Sequence, residues 1–374
     1  MNIGADAREI QDGVVTGIGR SLANFIKSFG ENETVHRLVL FSERNVPLKF
    51  SGNISQIILN SVPAFIWDQV KLPQSLKSNK IDLFYSPYYK IPLLSSVPVV
   101  NQVLDLMYLV FPPYRHELGL WRRIYYETLG KTYSRKSINI ITDSEHAKQD
   151  VIRLWKIDPK KIEVIPLGLA DRYKPVTDQE LLNKAKNKFK LPDRFILYLG
   201  NFKPHKNVKS LVNAFDKIKN RFPDHKLVLA GPLDQHGIKL KNFTENIGIA
   251  ERVVFTNTIR ESDNPEALLS LAEVFVFPTL YEGFGLPPLE AMACGTPVVA
   301  SNLTSVPEVV GDSGIKVNPL NVEEISKAIT NLIENPEKRE ILTSKGLERA
   351  MLFRENDTSK KLYEHIISLL EIIK

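Results

Sequence analysis

The sequence predicts an α/β protein of two domains, each built around a doubly wound parallel sheet. Short apolar runs alternate with helical segments along the chain, which is the pattern of such sheets. Glycine-rich loops join an apolar run to a helix in both halves. The 374 residues are enough for two domains of ordinary size, each with its own core. We assign residues 1–172 to the first domain and residues 173–354 to the second.

The composition is that of a soluble globular protein, with 43% hydrophobic and 25% charged residues. No apolar run approaches the roughly 18 residues that span a bilayer, and residues 1–10 carry charges where a signal peptide is apolar. We therefore expect a cytoplasmic protein, with the inner face of the cell membrane as a further location. A single cysteine, Cys294, excludes a disulfide framework and a cysteine-rich zinc site. Its apolar helical surroundings predict a packed core position.

The formal net charge of +6 is unevenly distributed. Residues 1–172 contain 22 Lys and Arg against 17 Asp and Glu, so most of the excess lies in the first half. This excess favours an anionic partner there. It is too modest for a nucleic-acid-binding protein, and no recognition module for nucleic acid is present.

The first half starts with a predicted strand at residues 2–5, a glycine loop at 12–19 and an amphipathic helix. The glycine loop has only Gly-x-Gly, which argues against a nicotinamide site. A later helix is predicted to start within Asp143-Ser144-Glu145-His146, which contains an N-cap candidate. The apolar face of the first helix is formed by Leu22, Phe25, Ile26 and Phe29, and further strands are predicted at 35–41, 54–59, 82–85, 97–103, 137–142 and 161–166.

Residues 114–137 form the most basic window of the chain. Leu118, Trp121, Tyr125 and Leu129 recur there at helical spacing. One interpretation is a domain helix with this stripe on the core and its charges in water, which we favour for Trp121 and Leu129. The other is a basic amphipathic helix that lies on an anionic membrane surface.

The second half continues the alternation of strands and helices after a polar, lysine-rich segment, residues 171–193, that we interpret as an interdomain connection. Residues 306–308 and 314–317 are expected to finish the sheet. The other predicted strands are 195–200, 226–230, 252–255, 273–277 and 296–300, and the last helices are 322–333, 336–350 and 358–373.

Residues 273–301 combine a strand, a glycine loop, a helix and a second strand, and ligands of open α/β sheets bind where such a strand meets such a helix. Glu282 precedes the glycines and Glu290 is expected in the first helical turn. We expect the backbone N–H groups of residues 283–285 to donate to a phosphate. Either the glutamates accept hydrogen bonds from a sugar and a ribose, or Glu290 complements the helix dipole and Glu282 is solvated. Lys206, at another strand-to-helix crossing, either neutralises a diphosphate or is solvated.

The segments Gly283–Pro287 and Ala291–Ala300 resemble the donor-site signature of retaining glycosyltransferases of family 4. The resemblance implies the GT-B fold, in which two Rossmann-like domains face each other across a cleft. It also implies that a tail helix, residues 355–374, crosses back onto the first domain.

The resemblance implies a role for each candidate residue. Glu282 would contact the hexose, Glu290 the ribose, and Lys206 the diphosphate. Many members have an arginine at the position of Asn201, and Lys203 is a candidate to supply that charge. The implied donor-binding set is Gly17, Lys203, Lys206, Gly283, Phe284, Gly285, Leu286 and Glu290.

The sequence departs from the family where a strand of the first domain ends. Members usually have His-Asp there, and this chain has Leu104 followed by Asp105. Asp105 would face the cleft, and His116 is a weak candidate to replace the histidine. The implied catalytic residues are therefore Glu282, Asp105 and Lys206.

No Asp-x-Asp pair and no histidine cluster at metal spacing is present, so we expect neither a metal nor a cofactor. The resemblance implies a retaining transfer of a hexose, with mannose favoured, from a GDP- or UDP-sugar to a glycan or lipid-linked acceptor. Two alternatives remain open. Leu104 motivates a catalytically silent sugar-nucleotide-binding subunit, and the shared architecture motivates a GT-B sugar-nucleotide epimerase.

Overall fold

A computed structural model describes residues 1–10, 17–33, 35–50, 52–117 and 119–373. The chain forms two compact units, the first from residues 1–168 with 355–374 and the second from residues 169–354. The units thus meet in sequence at 168/169, four residues before the predicted boundary. Most of the predicted glycine loop, its residues 12–16, lies outside the described residues.

The first unit is built on a seven-stranded sheet with the order β3-β2-β1-β4-β5-β6-β7. All neighbouring strands are parallel, with β4 at the centre. The strands are β1 Asn2–Asp6, β2 Arg37–Ser42, β3 Ile54–Ile58, β4 Leu83–Ser86, β5 Val99–Gln102, β6 Asn139–Thr142 and β7 Ile162–Val164.

Helices cover this sheet, and the last helix of the chain is one of them. The predicted apolar face of the first helix is buried, and Leu362, Ile366 and Leu370 of the last helix join the same core cluster. Ser144 caps α7 by accepting the N–H of Ala147 at 3.1 Å, as predicted. The helices are α1 Gly17–Asn32, α2 Ala64–Ile66, α3 Leu72–Ser78, α4 Met107–Val110, α5 Pro112–Glu117, α6 Gly119–Lys136, α7 Glu145–Trp155 and, from the chain's end, α16 Glu355–Ile373.

The second unit is built on a six-stranded parallel sheet with the order β10-β9-β8-β11-β12-β13. Of its central strands, Val274–Phe277 is fully buried and Arg194–Leu199 is buried from Phe195 to Tyr198, as their apolar runs predict. The strands are β8 Arg194–Leu199, β9 His225–Ala230, β10 Val253–Phe255, β11 Val274–Phe277, β12 Val298–Ser301 and β13 Ile315–Val317. The helices are α8 Gln179–Phe189, α9 Val208–Ile218, α10 Gln235–Asn246, α11 Pro265–Leu271, α12 Leu286–Ala293, α13 Val306–Val310, α14 Val322–Glu334 and α15 Pro336–Met351.

Two predictions about the second unit are wrong. Residues 306–308 are not a strand but the start of α13, because Val306, Val309 and Val310 recur at helical spacing and are all buried. The segment 171–193 is not merely a connection. It contains α8, whose Ala185 and Phe189 pack with Ala267 of α11.

The prediction for Trp121 is also wrong, whereas that for Cys294 is confirmed. The Trp121 side chain is 81% exposed on α6 and does not reach the core. Leu129, farther along the same helix, does pack against a core cluster. Cys294 is buried, and that burial raises the pKa of its thiol. Among the described helices, none has the length and apolarity to cross a membrane.

Candidate active site

The candidate site of the second unit lies where its strand order reverses. The order changes direction between β8 and β11, which are paired neighbours. Ligands of such sheets bind at this switch point, beyond the carboxyl ends of the strands. The loop after β8 leads to Lys206, and the loop after β11 carries Glu282 and the glycines. The fold therefore brings the two predicted loops to one place.

Lys206 and Glu282 form a largely buried ion pair at this place. The Lys206 ammonium lies 2.7 Å from Glu282 Oε1, and the two side chains are only 11% and 14% exposed. The hydroxyl of Thr279 lies 2.8 Å from the same carboxylate oxygen. The ammonium is also 5.1 Å from the centre of the Phe277 ring. Neither residue is a solvated surface charge, so that alternative is wrong for both.

Hydrogen bonds between the two loops hold the pair in position. The N–H of Leu280 donates to the carbonyl oxygen of His205 at 2.7 Å. Asn207 Nδ2 donates to the carbonyl oxygens of Pro278 and Pro319 at 3.1 and 2.7 Å. Each contact crosses from the loop after β8 to residues that follow β11 or β13, so Lys206 is fixed relative to Glu282 by the backbone.

His205, beside Lys206, is a buried neutral imidazole. Burial, together with the positive charges of Lys206 and Lys203, lowers the pKa of His205 to about 3. Its backbone carbonyl accepts the Leu280 hydrogen bond, and its ring is 5% exposed. The burial of His205 was not predicted, because a histidine between two lysines is equally typical of a surface turn.

The glycine loop is shaped by one residue that has to be glycine. Gly285 has φ +116 and immediately precedes α12, a conformation that residues with a Cβ rarely adopt. The Ser305 hydroxyl lies 3.0 Å from the carbonyl oxygen of Glu282 and 2.7 Å from that of Phe284. With the carbonyls turned toward Ser305, the N–H groups of Phe284 and Gly285 donate no hydrogen bond to any described residue.

The placement of Glu290 in the first helical turn is wrong. Gly285 ends the loop, so α12 begins at Leu286 and Glu290 is its fifth residue. The Glu290 side chain is 7% exposed. Leu286, one turn earlier in the helix, is half-buried. A contact between Glu290 and a ribose stays a prediction, and the helix-dipole alternative is weakened because that effect falls off within the first turn.

Lys203 does not join the ion pair. Its side chain is exposed, its backbone N–H donates to Asn201 Oδ1 at 3.2 Å, and it lines a cavity whose wall does not include Lys206. Its predicted contact with the donor remains untested.

The predicted residues of the first unit have local structural roles. Asp105 follows β5, and its Oδ1 accepts the N–H of Met107 at 3.0 Å, which fixes the start of α4. Leu104 is half-buried beside it. Gly17 is the exposed first residue of α1, and the His116 side chain lies outside the described part of the structure. The catalytic role of Asp105 and the diphosphate contact of Gly17 stay predictions.

One cluster of the first unit was missed at the sequence level. The strand order of this sheet reverses between β1 and β4. There the guanidinium of Arg8 lies 2.6 Å from Asp6 and 2.7 Å from Asp68. The guanidinium also stacks 3.7 Å from the centre of the Trp67 ring. An arginine two positions after a buried strand was the available signal, but its partner Asp68 is 60 positions away.

No group of three or more potential metal ligands occurs among the residues that the structure describes. The hydrogen-bond donors of the candidate site are an ammonium, hydroxyls and backbone N–H groups. They suit an anion better than a cation.

Comparison with known proteins finds similarity to one family over part of the chain. Residues 179–349 match the family described as "Glycosyl transferases group 1". The chain is 34% identical over 229 residues to the O-antigen chain mannosyltransferase B of Escherichia coli. That match covers 60% of this chain and 59% of the relative, so this chain spans about three fifths of the curated relative's length.

Solved structures with the same fold cover nearly the whole chain. Sucrose-phosphate synthase from Thermosynechococcus elongatus superimposes with a TM-score of 0.79 at 19% identity, covering 99% of both chains. Anabaena Alr3699/HepE, solved in complex with UDP and glucose, gives a TM-score of 0.77 at 18% identity, covering 98% of this chain and 100% of that one. With its two parallel sheets of seven and six strands, the chain has the GT-B fold, as predicted.

Proposed function

We propose that the protein is a hexosyltransferase that uses a nucleotide diphosphate sugar, because residues 179–349 match the family described as "Glycosyl transferases group 1". The observation that carries the proposal is the Lys206–Glu282 pair at the switch point of the second sheet. It sets one cation and one hydrogen-bond acceptor beside backbone N–H groups. These are the groups that a diphosphate and a sugar hydroxyl need.

The leaving group in this proposal is the nucleoside diphosphate. The bond between the anomeric carbon and the phosphate oxygen breaks, and a bond to the acceptor oxygen forms. The acceptor's proton goes to the departing phosphate oxygen. Lys206 and the N–H groups of Phe284 and Gly285 stabilise the charge that develops on that phosphate. Front-face attack of this kind retains the anomeric configuration.

The proposed role of Glu282 follows from its place in the ion pair. Its Oε1 is occupied by Lys206 and Thr279, which leaves lone pairs on the carboxylate to accept hexose hydroxyls. Glu290 would accept the ribose hydroxyls, and Lys203 and Gly17 would add contacts to the diphosphate. No metal takes part in this proposal, because the ammonium and the backbone N–H groups supply the positive charge.

We favour mannose as the transferred sugar and GDP-mannose as the donor. The support is the relative named an O-antigen chain mannosyltransferase. A UDP-hexose is the second donor to test, because the structural neighbour was solved with UDP and glucose. The acceptor we propose is a glycan or lipid-linked glycan.

A transfer assay tests this function. The purified chain would be incubated with radiolabelled GDP-mannose or UDP-glucose in EDTA, and release of nucleotide and free or transferred sugar measured. We expect turnover of one donor, with a loss of about 10²–10³-fold in Lys206→Gln and none in Lys217→Gln, an exposed lysine of α9. Tight donor binding without turnover would indicate the silent binding subunit. A donor converted to another nucleotide sugar would indicate the epimerase.

We also propose that α6 touches an anionic membrane where the acceptor resides. Leu120, Trp121 and Ile124 are 64%, 81% and 45% exposed, and the same helix contains Lys131, Arg135 and Lys136. Exposed apolar side chains on a basic helix are suited to a lipid surface. Flotation with phosphatidylglycerol vesicles should carry the protein upward and should weaken in Trp121→Ala. Equal flotation with neutral vesicles would contradict the role of charge.

A further inference from the structure

One cavity of the second unit lies outside the candidate active site. It has a volume of about 580 Å³ and lies between the start of α9 and one face of α10. Its wall includes Lys203, Lys209, His236 and Lys239, with the aromatic rings of Phe202 and Phe243. A volume of this size is typical of sites for small molecules.

The cavity is positively charged and nothing in its wall neutralises it. Among the described residues that line it there is no carboxylate, and none of its three lysines forms an ion pair with a described residue. The ammonium of Lys209 instead lies 4.4 Å from the centre of the Phe243 ring. Concave surfaces with charges of one sign concentrate ligands of the opposite sign.

One acidic residue, Asp234, immediately precedes α10. Asp234 caps α10 by accepting the N–H groups of His236 and Gly237 at 2.9 and 3.0 Å. The hydrogen bond from Gly237 leads the effects that lower the pKa of this carboxyl. The charge of Lys203 contributes to the same lowering, so Asp234 offsets Lys203 in part, and Lys209 and Lys239 are the two lysines that we assign to a ligand.

The floor of the cavity is rigid and aromatic. The Phe202 ring is 7% exposed, and its centre lies 6.0 Å from that of Tyr198 and 6.1 Å from that of Phe255. A Cβ added at Gly237 would come within 3.1 Å of this ring and 2.5 Å of the carbonyl oxygen of Pro232. Glycine is therefore what allows α10 to approach the floor so closely. A preformed aromatic surface favours a ligand with a ring.

The cavity is separate from the Lys206–Glu282 pair although the two are close in sequence. Lys203 precedes the short turn Pro204–Lys206, and Lys206 is its last residue. Lys203 lines the cavity, whereas the Lys206 ammonium is directed to Glu282 and Phe277 and is not part of the wall. One turn thus presents lysines to two different places.

We propose that this cavity binds a small phosphorylated molecule at a second site, distinct from that of the sugar donor. Lys209 and Lys239 hold the phosphate, and the ring of the ligand packs on Phe243 and Phe202. This proposal rests on the cavity and its charges, and not on the identity of the donor.

Calorimetric titration with inorganic pyrophosphate tests the proposal. Wild-type protein should bind at two sites. Lys206→Gln should lose one of them, and the double variant Lys209→Gln/Lys239→Gln should bind at least tenfold more weakly at the other. The matched control is Lys217→Gln/Lys241→Gln, which removes one exposed lysine from each of the same two helices outside the cavity and should titrate like wild type.

Two results would overturn the second site. One is a titration of Lys209→Gln/Lys239→Gln that is identical to that of wild type, with both proteins folded by circular dichroism. The other is a Lys206→Gln variant that binds pyrophosphate at neither site, which would make the cavity part of the donor site. Failure of the proposed hexosyl transfer would look different, because it would leave this pyrophosphate site intact and remove turnover only.

Discussion

At the scale of single residues, the candidate site depends on contacts between residues far apart in sequence. Lys206 and Glu282 are separated by 76 positions and yet lie 2.7 Å apart. Their charges are tolerable at 11% and 14% exposure because each compensates the other, and an unpaired charge at such burial would be costly. The geometry is sustained by backbone contacts such as that of Leu280 with His205 and by the conformation of Gly285.

Replacing Gly285 with alanine tests the role of that conformation. The added Cβ meets no atom closer than 3.7 Å, so steric overlap does not destabilise the variant. The cost comes from φ +116 and should be roughly 1–3 kcal/mol in the free energy of unfolding. Gly52→Ala is the control, since its Cβ also meets nothing and the backbone there is not in the left-handed region. Urea denaturation of the two variants should separate them, and equal stabilities would contradict the account.

At the scale of elements, hydrogen bonds fix the position of β11 at its start as well as at its end. Glu273, directly before β11, accepts hydrogen bonds from Arg194 at 2.9 Å, His225 at 2.9 Å and Arg339 at 2.9 Å. These residues come from β8, β9 and α15. One carboxylate therefore ties the strand that carries the candidate site to its neighbours in the sheet.

The pH dependence of stability should report on this carboxylate. Burial alone raises the pKa of Glu273, but hydrogen bonds from His225 and Arg194 outweigh it and hold the pKa at about 2. A group with a depressed pKa stabilises the fold fully above its unfolded pKa, and this contribution is lost as pH falls. The window here runs from 4.5 down to about 2.

We therefore expect Glu273→Gln to be less stable than wild type at pH 7, with a difference that shrinks below pH 4.5 and disappears near pH 2. Denaturant unfolding at several pH values measures it. Glu340→Gln, at an exposed position of α15, should show little difference at any pH. A deficit in Glu273→Gln that stays constant across this range would mean that the contacts stabilise the fold without their charge.

Elements were predictable from the sequence wherever a local pattern determines them. The buried strands β8 and β11 and the face of α1 follow from apolar periodicity. The start of α12 was predicted too late, because Pro287 and Pro288 suit the end of a loop as well as a first helical turn. The helix α13 was mistaken for a strand, because three valines suit either structure. Trp121 was assigned to the core because helical periodicity shows that apolar residues share one face. It does not show whether another element packs on that face.

Pairings between distant segments could not be predicted in this way. The Lys206–Glu282 contact requires β8 and β11 to be neighbours, and the order of strands in a sheet depends on the packing of the whole unit. The same holds for Arg8 with Asp68, and for the cavity between α9 and α10. Each of these forms only when two loops or helices are brought together by the fold.

At the scale of the whole molecule, the end of the described chain packs with its first residues in one unit. Its last helix, α16, belongs to the first unit and completes the core around β1 and α1. Ile366 of this helix is fully buried, whereas Ile372 is 79% exposed. The stability of the first unit therefore depends on residues at the far end of the sequence.

Truncating Ile366 to alanine should destabilise the first unit by about 2–5 kcal/mol, because it leaves a cavity in that core. Hydrogen exchange should show lost amide protection in β1 and unchanged protection in β8. Ile372→Ala is the control and should change neither strand. Loss of protection in β8 that equals the loss in β1 would contradict the assignment of α16 to the first unit.

The central claim is that Lys206 holds the diphosphate of a nucleotide sugar at the switch point of the second sheet. Calorimetric titration of GDP and UDP in EDTA tests it most directly. We predict that one of them binds wild-type protein, that Lys206→Gln binds it at least tenfold more weakly while keeping a hydrogen-bond donor for Glu282, and that Lys217→Gln matches wild type. Equal affinity in Lys206→Gln and wild type, or binding of either nucleotide only with a divalent cation, would contradict the claim.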